Sequence, residues 1–312
     1  MNRLRLLALA GAAALLAVAC SSSASPTKTA APGPTRQLNI VAGENFWGSI
    51  IAQLAGKAGN VTSVVSDPNA DPHNYESSST DARAFASADY VVLNGAGYDT
   101  WADKLLSGNP NSKRKVLTIA DLLGKKEGDN PHFWYDPALV ARVTDQIETD
   151  LKTLDPPDAA YFGAQRAALD AAFAPSRAAL TALKSKFGGT AVASTESIFV
   201  YLGNYLGLNV ISPPEFMQAV AEGNDPPAPS VAQFQDQITH KLAKVLVYNE
   251  QTSTAVTTNI KKLAANAGIP TVGVTETIQP PSASFERWFD GELQQLQNAL
   301  SVGTSSSVAG GP

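Results

Sequence analysis

The chain alternates short β-branched runs with stretches of helical spacing, and it does so twice, an order that few folds accommodate. In the first set, QLNIVA (37–42), VTSVVS (61–66), DYVVLN (89–94) and KVLTI (115–119) read as strands, with helical spacing at 46–57, 80–87 and 98–107. The second set has strand-like runs at 190–194, 208–212, 244–249 and 270–274, with helical spacing at 197–206, 230–243 and 254–267. A strand followed by a helix and another strand returns in the same direction, so each set predicts a parallel sheet covered by helices. The fold class is α/β, with two parallel-sheet lobes over 37–156 and 189–301.

The segment between the lobes has a different character. Asp136-Pro137 opens a helix, since proline suits the first helical turn, and Asp155-Pro156-Pro157 closes it. Residues 157–188 are rich in Ala, Leu, Arg and Lys and end at Gly188-Gly189. They predict one long connecting helix, bent at Pro175, of about 45 Å at 1.5 Å per residue, with two shorter helices kinked at Pro175 as the alternative.

The N-terminus carries a targeting signal. Arg3 and Arg5 precede an apolar run from Leu6 to Val18, too short for a bilayer span of roughly 20 residues but suited to a secretory leader. The run ends in Leu16-Ala17-Val18-Ala19-Cys20, which resembles a bacterial lipobox. Residues 1–19 are thus expected to be removed and Cys20, the single cysteine of the chain, to be lipidated. Residues 20–36, rich in Ser, Thr, Ala and Pro, read as the lipidated cysteine and a flexible tether, and 302–312 as a disordered tail. Losing the leader takes the net charge from −5 to −7, because the leader holds two arginines and no acid. A surface of that sign does not suit nucleic acid or anionic lipid as the main partner. The expected location is outside the cytoplasm, anchored to the membrane by lipid.

One cysteine excludes an internal disulfide, a Cys-rich zinc finger and a protein-held iron–sulfur cluster. Three histidines can be taken one by one. His73, in Asp71-Pro72-His73-Asn74-Tyr75-Glu76, and His132, in Asn130-Pro131-His132-Phe133-Trp134-Tyr135, share a setting: a loop after a strand, a preceding Pro and flanking aromatics. Proline fixes φ and extends its predecessor, so each imidazole is presented from a stiffened backbone. His240, beside Lys241 in an amphipathic stretch, reads as a surface residue. In the second lobe Glu196 and Glu276 follow strands directly, where open α/β sheets place ligand-binding groups. Two imidazoles from one lobe and two carboxylates from the other could close a metal cage in the cleft between them.

These motifs, with Leu93-Asn94-Gly95-Ala96-Gly97-Tyr98-Asp99-Thr100-Trp101, resemble those of the zinc/manganese-type solute-binding lipoproteins of bacterial ABC importers, over nearly all of 38–301. The resemblance implies two lobes on a long rigid helix, a metal site in the cleft, a membrane permease as partner and a monomer. It also implies His73 and His132 as the first two metal ligands. The third is Glu196, where zinc members commonly carry His and manganese-type members Glu. The fourth is Glu276, where Asp is usual. The His-rich loop of many zinc members has no counterpart, since Gly124-Lys125-Lys126-Glu127-Gly128-Asp129 stands in its place.

A set of two His and two Glu suits tetrahedral zinc, and also manganese if a carboxylate binds through both oxygens; Fe²⁺ fits the same donors. Glu44, Asn45 and Glu76 are candidates to orient the ligands, and Glu44 also competes as a direct ligand. Two alternatives come from other classes. A siderophore- or haem-binding lipoprotein of similar architecture would want a cleft lined by Arg and Tyr. A secreted metallohydrolase would keep an open metal position, but the chain has no His-Glu-x-x-His motif and no Gly-x-Ser-x-Gly elbow, so no enzyme is expected.

Overall fold

The computed structural model describes residues 34–68, 70 and 75–305. The leader, Cys20, the tether up to residue 33, His73 and the tail after Ser305 lie outside the described residues. The first lobe runs β1 (Leu38–Glu44), α1 (Asn45–Ala55), β2 (Gly59–Val65), α2 (Ser79–Ser87), β3 (Tyr90–Leu93), α3 (Trp101–Gly108), β4 (Lys115–Thr118) and α4 (Ile119–Leu123). Its strands are parallel, in the order β2-β1-β3-β4. Then come α5 (Pro137–Leu154), α6 (Ala159–Ala172) and α7 (Ala174–Phe187). The second lobe runs β5 (Ala191–Ser194), α8 (Val200–Tyr205), β6 (Asn209–Val210), α9 (Pro214–Ala221), α10 (Ala228–Thr239), β7 (Leu246–Asn249), α11 (Ala255–Ala267), β8 (Thr271–Val274) and α12 (Phe285–Ser305). Its order, β6-β5-β7-β8, repeats that of the first lobe with every strand again parallel.

The period of two along each strand divides the core. On the first sheet, Ile40, Tyr90 and Val92 face a central cluster, while Val41, Val91 and Leu93 pack outward against Phe85 and Trp101. On the second, Val192, Val245 and Val247 join the same central cluster, and Ala193 and Leu246 pack outward against Phe234 and Ile260. The central cluster also takes in Phe162, Leu180 and Leu183 of the connection and Leu293 and Leu296 of α12. The lobes therefore share one apolar interior. Among the described residues, no helix is long and apolar enough to cross a membrane.

Several elements depart from the expectations set by sequence, each for a local reason. The connection is two 14-residue helices, not one. Pro175 has no N–H for the carbonyl four residues back, and the chain breaks just before it, at Phe173, where ψ is −3°. The strand expected over 208–212 shrinks to Asn209–Val210, since Ser212 spends its hydroxyl on the Ser194 N–H and Pro213-Pro214 follow. Lys241, at φ 56°, stops α10 short, so exposed His240 caps the helix rather than riding within it. The helix α12 has no counterpart in the pattern of runs read from the sequence. It continues to Ser305, into the stretch whose composition suggests a disordered tail.

Candidate metal centre

His132 is presented by a loop built to aim its ring. Asn94 holds that loop from the end of β3: it accepts from the Trp47 indole N–H (3.0 Å) and donates to the Pro131 carbonyl (2.9 Å). Asn130 accepts at one oxygen from both the His132 backbone N–H (3.1 Å) and its Nδ1 (2.7 Å). A carboxamide oxygen only accepts, so Nδ1 carries the proton and the lone pair is on Nε2. The ring is fully buried, with Trp134 and Tyr98 against it edge-on at centroid distances of 5.2 and 6.1 Å; Trp134 in turn stacks on Phe46.

That nitrogen faces the second lobe. Glu196 stands second past β5 and Glu276 second past β8, each at 0% exposure. Nε2 of His132 lies 3.5 Å from Oε1 of Glu196, and one ligand atom from each of His132, Glu196 and Glu276 falls within 4.8 Å of the others. The Asn249 amide, at the end of β7, donates to both carboxylates, at 2.8 Å to Glu196 and 2.5 Å to Glu276. Thr252 donates to the same Glu196 oxygen, and the Tyr98 phenol to the other oxygen of Glu276 at 2.7 Å. An imidazole nitrogen and carboxylate oxygens converging in a buried site form a donor set that a divalent cation satisfies.

The seam around this group is stitched across the lobes. Asn45 exchanges two hydrogen bonds with the backbone of Ile278, and Gln251 accepts from the Glu276 N–H while donating to the Ala70 carbonyl. Asn130 donates to the Ser197 carbonyl. Glu292 of α12 accepts from the Tyr135 phenol (2.6 Å) and the Thr275 N–H (3.1 Å), one partner in each lobe. Burial raises its carboxyl to about 8, against the lowering effect of the Tyr135 bond. Burial likewise raises the Tyr98 phenol well above its usual range, and the Glu276 and Glu44 carboxylates add to it. Asp99, which ties down the tight turn after β3 through the Asn94 and Gly95 N–H groups, is raised to about 6, first by burial. Gly95 is required there: its φ is 75°, and a Cβ would stand 2.6 Å from Thr118.

An interlobe cleft of about 870 Å³ opens above the site, lined by Glu127, Asp129, Asn130, Ser197, Glu222 and Thr252 among others. The candidate ligands lie beneath it, out of reach of solvent. Of the candidates read from the sequence, His132, Glu196 and Glu276 come together, while His73 lies outside the described residues. Asn45 binds the Ile278 backbone rather than a ligand, and Glu76 is exposed, so neither orients an imidazole among the described residues. Glu44 is buried, and its carboxyl is raised well above the usual range by burial first and by Asp99 second. It stands outside the group of three. Reasoning from sequence misses Asn130, Tyr98 and Asn249 as partners of the ligands. The rule that selects Glu196 and Glu276 could have reached Asn249, since it too ends a strand.

Fold and site together define a two-lobed α/β protein with a buried, mixed imidazole–carboxylate group on the seam. The chain belongs to the family described as ZnuA, zinc-uptake complex component A, periplasmic, whose sequence model matches residues 40–299. It is 29% identical over 152 residues to the manganese-binding lipoprotein MntA of Halalkalibacterium halodurans, covering 48% of this chain and 49% of that one. It is also 29% identical over 147 residues to the metal ABC transporter substrate-binding lipoprotein ScbA of Streptococcus cristatus, covering 43% and 46%. The chain thus spans about half the length of these curated relatives. Among solved structures, a cadmium-bound periplasmic metal-binding protein from Candidatus Liberibacter asiaticus superposes with a TM-score of 0.68 at 18% identity, over 84% of this chain and 98% of that one. A crystal structure of ZnuA gives 0.66 at 23% identity, over 84% and 99%. At such identities these two likenesses concern the fold.

Proposed function

We propose that this protein captures a divalent transition metal ion outside the cytoplasm and delivers it to the membrane permease of an ABC importer. The observation that carries the reading is the convergence of His132, Glu196 and Glu276 within 4.8 Å in a fully buried seam. His73, from the matching Pro-His loop, is the fourth ligand, and Cys20 the lipid anchor. The cargo is Zn²⁺ or Mn²⁺, with Fe²⁺ compatible with the same donors. Family membership supports zinc, and the MntA likeness supports manganese. The protein acts as a monomeric binding protein and not as an enzyme: the three converging side chains are wholly buried, a setting that suits an ion more than an organic substrate. That burial also weighs against a siderophore or haem.

The chain from residue 21 onward, expressed without its leader, tests this directly. Elemental analysis should find close to one zinc or manganese per protein, and either ion should raise the melting temperature of the stripped protein. His240→Ala, on the exposed end of α10, should behave as wild type. A protein that carries no metal and shows no shift with either ion would refute the reading.

A further inference from the structure

The identical strand orders of the two lobes give every residue at one strand end a counterpart. β1 lies between β2 and β3, as β5 lies between β6 and β7. Just past the end of β5 stands Glu196; at the end of β1, as its last residue, stands Glu44. Both are wholly buried. Their company differs. Glu196 is held by Asn249 and Thr252, whereas neither carboxyl oxygen of Glu44 has a hydrogen-bond partner among the described residues. Leaving a buried carboxyl unmatched is costly, so such a group calls for a partner that the described residues do not supply.

Its place on the seam indicates what that partner is. The next residue, Asn45, is locked to Ile278, the second residue past Glu276. The Tyr98 phenol, which donates to Glu276, also feels Glu44 and Glu196, so all three carboxyl groups act on one hydroxyl. Yet Glu44 falls outside the group whose ligand atoms lie within 4.8 Å of one another. It lies on the same seam without belonging to that group.

We propose that Glu44 is a specificity-determining residue of the metal site: it accepts a hydrogen bond from water that the bound ion retains. This rests on the metal-binding reading above. Four protein ligands complete the tetrahedron of Zn²⁺ and leave it no water, whereas an octahedral ion such as Mn²⁺ keeps water in its remaining positions. An acceptor for that water stabilises the six-coordinate ion and does nothing for the four-coordinate one. Glu44 thus biases the site toward Mn²⁺ against the intrinsic preference of such donors for zinc.

The test compares wild type, Glu44→Met and Glu44→Gln in the soluble chain, titrated separately with MnCl₂ and ZnCl₂. Losing an outer partner of a metal site typically costs 10–100-fold, so Glu44→Met should weaken Mn²⁺ binding at least about 10-fold and zinc binding less than about 3-fold. Glu44→Gln, which keeps a neutral acceptor, should fall between wild type and Glu44→Met for Mn²⁺. The metal-free Glu44→Met protein should melt higher than wild type, because an unmatched buried carboxyl is gone. Equal losses for both ions, or no loss for either, would overturn the proposal. So would a lower melting temperature with both ions weakened alike, which would mark a structural role. Wild-type protein that binds neither ion fails the underlying reading instead, and that outcome is seen before any variant is made.

Discussion

The first lobe offers its imidazole from a loop well beyond β4, and it surrounds that loop with Phe46, Tyr98 and Trp134 and fixes the ring through Asn130. The second lobe offers Glu196 and Glu276 almost directly from strand ends and needs little beyond one amide, that of Asn249, to hold them together. The difference follows from the donors. An imidazole has one lone pair in the ring plane and must be aimed, so it needs a stiff loop and a partner for Nδ1. A carboxylate has several acceptor directions but repels another carboxylate, so a pair needs donors between them more than it needs aim. The same strand order thus supports two solutions to two problems.

The largest effect should come from breaking the aimed side. His132→Ala removes the oriented donor and, since even an outer partner is worth 10–100-fold, should weaken zinc or manganese binding by more than about 100-fold in a chelator competition. An intermediate effect belongs to the clustered side. Asn249→Ala leaves both carboxylates but removes the donor they share, and should cost about 10–100-fold in the same assay. If the two variants lose equally, aim and clustering are not distinct requirements.

On metal binding the smallest effect belongs to the clamp that joins the lobes, which acts on folding stability instead. Glu292 faces Tyr135, Thr275 and Glu250, and its carboxyl is raised from 4.5 to about 8. A raised folded-state value means that the folded protein binds more protons than the unfolded chain. This contribution is therefore fully present below about pH 4.5 and is lost as pH rises toward and through 8. Urea unfolding of the metal-free protein should show stability declining from pH 5 to pH 8, with Glu292 contributing on the order of 2–4 kcal/mol of that decline. In Glu292→Gln, which cannot ionise, the slope should flatten. An unchanged slope would remove Glu292 from the account.

The lobes and three candidate ligands are legible in the sequence because the features that define them are local. Strand runs declare themselves within a few residues, and parallel sheets gather ligand-binding groups at their carboxyl ends. What holds the ligands is not legible, because it is made across the fold. Tyr98 and Glu276 are 178 residues apart, Tyr135 and Glu292 157 apart, and nothing near either member signals the other. Asn130 comes nearest, since it stands two residues from His132 in the same motif, but nothing in the motif says that its side chain turns back to the ring. The break at Phe173 is legible in kind, since Pro175 marks a bend, but whether a bent helix continues or divides depends on the packing around it.

The interior shared by both sheets, the connection and α12 has a mechanical consequence. Lobes with separate cores can swing apart on a hinge, wetting only a polar interface as they go. Here a wide swing would open apolar surface as well, at a cost of roughly 25 cal/mol for each Å² uncovered. On the function proposed above, the motion that admits an ion is therefore a small rocking at the mouth. The molecule resembles a stiff frame more than a jaw.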